Sequence, residues 1–346
     1  MGNPLFGPVR CTDDGTPAVP LNNRFSAYHA GVSGELFPAL EYKFLITHSK
    51  NYGRYSPPFE TGVNIGSPSL FRGGLAMRRL GMTARFYALI TALGLAFQPG
   101  GLKKKALTGL VTRLYRWVLF RADKVIFQNQ DDRQVFVSRK IVDVRRCVVV
   151  SGSGVNLDHF VVTPLPQGNV VFLTIACLLG DKGLREYAQA AKIVKEQYPI
   201  AIFHPVGPTD PSPDAIPLSE VQTWQASGAL QYLGATKDVR PFIGQCHTYV
   251  LPSYHEGMPR TVLEAMAMCR LAITTNVPGC RETVVDGYNG FLVPVKDALA
   301  LARAMEQFIL HPELIEKMGR RSREIAEERF DVNKVNDDML RTMRLI

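Results

Sequence analysis

Glu256 and Glu264 stand eight positions apart in Ser253-Tyr254-His255-Glu256-Gly257-Met258-Pro259-Arg260-Thr261-Val262-Leu263-Glu264-Ala265-Met266-Ala267. The preceding run, Thr248-Tyr249-Val250-Leu251, is short, apolar and partly β-branched, as a buried parallel strand is. Pro259 suits the first helical position, where its missing N–H and fixed φ cost nothing. The spacing predicts strand, tight loop and helix, with unpaired backbone N–H groups at the helix start facing the loop. Such an end attracts phosphate. Glu264, further into the helix, has a carboxylate able to accept two hydrogen bonds from a sugar diol. Glu256, in the loop, lies nearer the reacting end of a ligand. On spacing alone, a surface helix with two solvated glutamates fits equally well.

The elements around this segment repeat the same pattern. Val170–Ala176 reads as an apolar strand, and Gly183–Gln197 as a helix with Leu184, Tyr187, Ala188, Ala191 and Val194 on one face. A strand over Ala201–Val206, a helix near Leu218–Ala226, a strand Ala229–Leu233 and a helix from about Asp238 follow. After the central segment come a strand at Leu271–Thr275 and helices over Ala298–Leu310, Glu313–Arg329 and Val332–Met343. Alternation of this kind implies a parallel sheet covered on both faces, with ligands beyond the carboxyl ends of the strands. Asp123–Gln130 and Val144–Val150 read as the last strands of an earlier α/β domain, and Thr163–Gly168 as a linker. The pairs Asp131-Asp132 and Asp337-Asp338 read as helix caps and solvated faces rather than a metal site.

At 346 residues the chain can form two domains, and 46% hydrophobic with 21% charged residues excludes a disordered polymer. Six scattered cysteines without a CxxC pair argue for free thiols in a reducing compartment. The N-terminus shows no signal-peptide pattern, and the longest apolar run, Phe86–Phe97, falls short of the ~20 residues a membrane span needs. The net charge of +9 is concentrated: between Arg72 and Lys124 eleven basic residues face one acid, Asp123. Within that window Lys103, Lys104, Lys105, Arg113 and Arg116 interleave with Leu107, Leu110, Val111, Leu114, Trp117 and Val118 at helical spacing. A basic amphipathic helix of this kind lies on an anionic membrane surface, or is a core helix with a solvated charged face. No recognition motif points to nucleic acid.

The Glu256–Glu264 segment resembles the nucleotide-sugar site of retaining glycosyltransferases with the GT-B fold, specifically glycosyltransferase family 4, whose members carry Glu, seven residues, then Glu. The resemblance continues through Ile273-Thr274-Thr275-Asn276-Val277-Pro278-Gly279-Cys280-Arg281-Glu282-Thr283-Val284 and Gly287-Tyr288-Asn289-Gly290-Phe291-Leu292-Val293-Pro294, and covers about residues 72–339. It implies an α/β fold of two Rossmann-like domains facing a cleft. Residues 1–71 would be an atypical segment of poor order, leaving the first domain short of βα units. Residues 72–162 would be the remainder of the acceptor-binding domain, 163–329 the nucleotide-sugar-binding domain, and 330–346 a helix returning to the first.

The resemblance assigns Lys182 to the donor diphosphate, Glu264 to the ribose and Glu256 to the catalytic position near the donor sugar. Gly257, Met258 and Pro259 would supply close backbone approach, with a turn needing φ > 0 as the plain reason for Gly257. Arg260 would add charge beside the diphosphate or pair with an acid, and the Tyr232–Thr236 loop would flank the nucleobase. The implied reaction is metal-independent and needs no cofactor. It moves a hexose or N-acetylhexosamine from a UDP-sugar to a polyprenyl-diphosphate-linked acceptor for surface polysaccharide, at the inner face of the cell membrane.

Several positions depart from the family pattern. Cys177 stands where relatives carry an arginine on the diphosphate, and a thiol cannot replace a guanidinium fork. Cys269 and Leu271 replace a usual glycine and proline, and Ala92 a usual glycine. Pro205 interrupts an expected central strand. Met1–Phe71 shows no βαβ rhythm, and His29 and His48 are candidates by position only for an acceptor-side histidine. These departures suit a second reading, a relative that binds nucleotide or membrane without transfer. A GT-B-like sugar-nucleotide epimerase fits the motif block less well.

Overall fold

The computed structural model describes residues 25–35, 41–51, 86–91, 93, 97 and 101–344. Two strands, β1 (Phe25–Glu35) and β2 (Glu41–Asn51), form an antiparallel ribbon with Phe25 opposite Asn51. The rest of the 1–71 segment lies outside the described residues, as do Ala92 and the side chains of His29 and His48.

The first domain is a parallel sheet in the order β3 (Tyr87–Ile90), β4 (Lys124–Phe127), β5 (Cys147–Val149). Parallel neighbours need long crossovers, supplied here by α1 (Leu102–Leu119) and α2 (Gln130–Ser138). Ala88, Ile90, Val125 and Phe127 pack against Tyr115, Val118 and Leu119 of α1 and Phe136 of α2. The Tyr115 and Phe136 rings meet edge-on at 5.1 Å.

The second domain carries β6 (Val171–Ile175), α3 (Leu184–Gln197), β7 (Ile202–Val206), α4 (Leu218–Ala226), α5 (Arg240–Gly244), β8 (Thr248–Leu251), α6 (Arg260–Ala267), β9 (Leu271–Thr275), β10 (Gly290–Val293), α7 (Ala298–Leu310) and α8 (Glu313–Arg329). Its parallel sheet runs β10-β9-β8-β6-β7, so the chain leaves β6 for one neighbour and later returns on the other side of β6 as β8. The crevice beyond the carboxyl ends of β6 and β8 is therefore the topological switch point, where open α/β sheets bind ligands. Tyr187, Ala188, Ala191 and Val194 of α3 are buried, as their spacing predicts.

Two expectations about this sheet are corrected. β7 is an edge strand, not a central one. Leu233 N–H donates to the Pro205 carbonyl at 3.0 Å on the side away from β6, so the donor that proline lacks is also on that outer side. The same proline explains why Ala229–Leu233 is not a strand. Gln231 and Leu233 donate to Phe203 and Pro205, but Pro205 has no N–H to return a bond. β10 was not foreseen as a strand; it extends the sheet beside β9.

The chain then enters α9 (Val332–Thr342). Val155 N–H donates to the Phe330 carbonyl at 2.7 Å, and the Tyr87 hydroxyl of β3 to that of Met343 at 2.8 Å. Arg270, wholly buried, reaches the carbonyls of Ile243, Gly244, Met268, Thr163 and Pro164, stitching the linker to the second domain.

Candidate functional site

Lys182 ends a tight turn, Gly180–Lys182, that follows β6. The next residue, Gly183, caps α3 in the left-handed region at φ +70°. A β-carbon there would lie 2.1 Å from the Pro252 carbonyl oxygen, so glycine alone lets this turn close on the loop leaving β8. Tyr254 N–H completes the contact by donating to the Asp181 carbonyl at 2.8 Å. This approach brings Lys182 Nζ to 2.8 Å from Glu256 Oε1, and the Ser253 hydroxyl donates to the same oxygen at 2.8 Å. Burial acts to lower the Lys182 pKa, but the charge and hydrogen bond of Glu256 outweigh it and raise it. Lys182 and Glu256, 74 residues apart, thus form an ion pair at the switch point.

Pro259 is the cap of α6 rather than its first residue, and no side chain caps the helix. The helix start faces the Glu256 loop with its first N–H groups open to a ligand. Glu264 sits further along, 8% exposed, with Arg260 3.6 Å away across one helical turn. Burial raises the Glu264 pKa and Arg260 offsets part of the rise. Arg260 therefore pairs with an acid while standing exposed beside the helix start. Tyr249 of β8 is buried between these groups; burial raises its pKa, and the charges of Glu264 and Glu256 add to the rise. Its hydroxyl donates to the Ile175 carbonyl at 3.2 Å.

Gly257 is not among the positive-φ glycines; close approach explains it instead. A β-carbon would lie 1.6 Å from the Thr91 carbonyl oxygen, which belongs to the first domain. Met258 packs where a β-carbon on Gly152 would fall, 2.5 Å from its Cγ. The Glu256 loop thus rests directly on the strand ends of the first domain.

Two polar residues there escaped the sequence. Asp132, read as a capping or solvated acid, is 1% exposed at this boundary, and Asn129 is the cap of α2. The signal was an Asn followed three residues later by an acid, just after a strand, which marks a helix start but not its burial. Ser253, which orients Glu256, stood in the motif without an assigned role. Cys177 lies two residues past β6, partly exposed. Tyr232, in the loop expected to flank a base, donates through its hydroxyl to the Gly207 carbonyl at 2.6 Å.

α1 presents Leu107, Leu110, Leu114 and Trp117 exposed along one side, continued by Phe120 at 71% exposure. Lys105 and Arg113 are exposed on the same helix, and the side chains of Lys103 and Lys104 lie outside the described residues. Arg116 is also exposed, but its guanidinium donates to the carbonyls of Arg139 and Lys140 at the end of α2.

Residues 156–325 match the family described as glycosyl transferases group 1. An N,N'-diacetylbacillosaminyl-diphospho-undecaprenol alpha-1,3-N-acetylgalactosaminyltransferase of Campylobacter jejuni is 29% identical over 229 residues, 62% of this chain and 59% of that protein. A UDP-Gal:alpha-D-GlcNAc-diphosphoundecaprenol alpha-1,3-galactosyltransferase of Escherichia coli is 25% identical over 232 residues, 62% of this chain and 58% of that protein. The chain therefore spans about three fifths of the length of these relatives. The structure of Anabaena HepE in complex with UDP and glucose superposes with a TM-score of 0.66 at 17% identity, covering 81% of this chain and 76% of that one, a likeness of fold. With its parallel sheets covered by helices the chain has the GT-B fold, and its residues 156–325 match the glycosyl transferases group 1 family.

Proposed function

We propose that this protein is a retaining, metal-independent glycosyltransferase of family 4. It transfers a hexose or N-acetylhexosamine from a UDP-sugar to a polyprenyl-diphosphate-linked acceptor, in surface polysaccharide or glycan synthesis. The observation that carries the reading is the Lys182–Glu256 ion pair at the switch point, beside the open start of α6, with Glu264 buried further along the same helix. A donor laid across these groups places its diphosphate at Lys182 and the α6 N–H groups, its ribose at Glu264 and its sugar at Glu256. The acceptor hydroxyl attacks the anomeric carbon on the face that the diphosphate leaves. The bond from the anomeric carbon to the diphosphate breaks, and the hydroxyl proton passes to the departing phosphate oxygen. The protein's part is to position the reactants and to stabilise the leaving charge.

The acceptor's lipid tail brings the chain to the cytoplasmic face of the cell membrane. Among the described residues no helix is long and apolar enough to cross a bilayer. The exposed stripe of α1 beside Lys105 and Arg113 supports a peripheral mode. α1 also begins with Lys103, Lys104 and Lys105 and no acid in its first turn, against the helix dipole, as expected where bases serve an anionic surface rather than the helix.

The test is transfer itself. Purified protein, a panel of UDP-sugars and an undecaprenyl-diphosphate-linked monosaccharide should give a lengthened lipid-linked product. Binding of UDP with no donor consumed, even after Cys177→Arg, would leave the non-catalytic relative as the answer. Sedimentation with phosphatidylglycerol vesicles should be lost in Leu110→Glu/Leu114→Glu, and retention would refute the membrane assignment.

A further inference from the structure

Asn129 and Asp132 belong to the first domain, yet they are buried against the loop that carries Glu256 in the second. Asn129 Oδ1 accepts the Asp132 N–H at 2.8 Å, capping α2. That bond fixes which way the amide points, so Nδ2 must be the donor on the other side. It reaches two acceptors: the Gly257 carbonyl at 3.0 Å, 128 residues away, and Asp132 Oδ2 at 3.1 Å. The Asp132 carboxylate also accepts the Leu93 N–H of the loop leaving β3, and His255, the neighbour of Glu256, lies close enough to act on it. Burial raises the Asp132 pKa and these contacts oppose the rise. Thr91, two residues before Leu93, places its carbonyl where Gly257 permits no β-carbon. An exposed pair, Arg281 Nε and Asp131 Oδ2 at 3.9 Å, lies at the same boundary.

A capping asparagine needs none of this, because serine or aspartate caps a helix as well. What only the amide supplies is a donor pointing outward across the domain boundary. We propose that Asn129 is a positioning residue for sugar transfer: its side-chain amide, held in orientation by Asp132, grips the Gly257 carbonyl and sets the Glu256 loop when the two domains meet. It touches no reacting atom and acts through the loop backbone. The cross-domain grip stands on the structure, whereas its role in transfer rests on the proposed function.

Asn129→Ser and Asn129→Asp both keep a cap, so α2 should persist. Serine is too short to bridge to Gly257, and aspartate turns an acceptor toward two oxygens. Amide hydrogen exchange over Ser253–Met258 in the empty protein should speed up in both variants, more in Asn129→Asp. The turnover rate should fall about tenfold or more, since small misplacement of a reacting group is costly, while the UDP Kd stays within about twofold. Unchanged exchange in both variants overturns the grip whether or not the wild type transfers sugar. A Kd that weakens in step with turnover overturns positioning in favour of general disruption. A wild type that shows no transfer refutes the proposed function, and the exchange comparison still decides the grip.

Discussion

Replacing Glu264 with glutamine should weaken nucleotide binding and strengthen the empty fold in the same protein. Glu264 is 8% exposed and its pKa is held above the ordinary carboxylate value of 4.5 by burial, with Arg260 offsetting part. A folded-state pKa above the unfolded one means that the protonated form favours the fold. That contribution is complete below about the unfolded value and is lost as pH rises through the raised folded value. At neutral pH the ionised carboxylate is therefore a net cost to the empty protein. Glutamine keeps the shape and stays neutral throughout. The variant should match wild type in acid and exceed it at neutral pH by about 0.5–2 kcal/mol, the usual size of a stabilising single substitution.

Binding should move the other way. A carboxylate accepts a hydrogen bond from each ribose hydroxyl, whereas the amide offers one acceptor oxygen and turns its NH2 group to the other hydroxyl. Losing one charge-assisted bond removes about 1.5–3 kcal/mol. At about 1.4 kcal/mol per decade, the UDP Kd should rise about tenfold to a hundredfold. Urea unfolding across a pH series and calorimetry with UDP read the two effects on one sample. An unchanged Kd would show that Glu264 does not meet the ribose. A glutamine variant less stable at neutral pH would show that Arg260 outweighs burial, reversing the reasoning.

Cys177→Arg should return a guanidinium to the end of β6 and tighten UDP binding by about 1.5–3 kcal/mol, seen by calorimetry; no change would place this loop end away from the diphosphate. Cys269 holds φ +64° at the end of α6, a conformation that costs an ordinary residue about 1–2 kcal/mol. Cys269→Gly should therefore raise the urea midpoint modestly, the gain trimmed by glycine's freer unfolded state. Arg270→Met should do the reverse, by 3 kcal/mol or more (an approximate scale for breaking a buried charged network), because the linker and helix-end carbonyls it serves would lose their donors.

Much of the second domain was legible because its information is local. Each buried strand is a short apolar run, and α3 shows its packed face at helical spacing. Lys182 and Glu256 were each singled out through resemblance, but their ion pair was not foreseen, since nothing local says that two loops 74 residues apart will touch. What was misread depended on the partner rather than the segment. Ala229–Leu233 has strand-like residues, but whether it pairs is decided by Pro205 on the neighbouring strand. Asp132 looks like any acid in a first helical turn, and only the second domain's loop makes it buried. Gly257 was read as a point of close approach, but the approaching group, a carbonyl in the other domain, could not be named. Such causes have no periodicity for a sequence to display.

The same long-range contacts explain how the crevice can hold a half-buried lysine charged. Unpaired, Lys182 would bear the desolvation cost of its crevice alone, and Glu256 supplies the anion at 2.8 Å. Ser253 holds Glu256 there, and the Thr275 hydroxyl of β9 in turn donates to the Ser253 carbonyl. On the proposed function, an entering diphosphate replaces one anion with another at Lys182, so the cation is never left unpaired. Glu256 is released in the same exchange to accept hydroxyls of the sugar. On the same proposal the Ser253 hydroxyl, at 2.8 Å from the Glu256 oxygen that meets Lys182, is the contact that orients Glu256 within the pair.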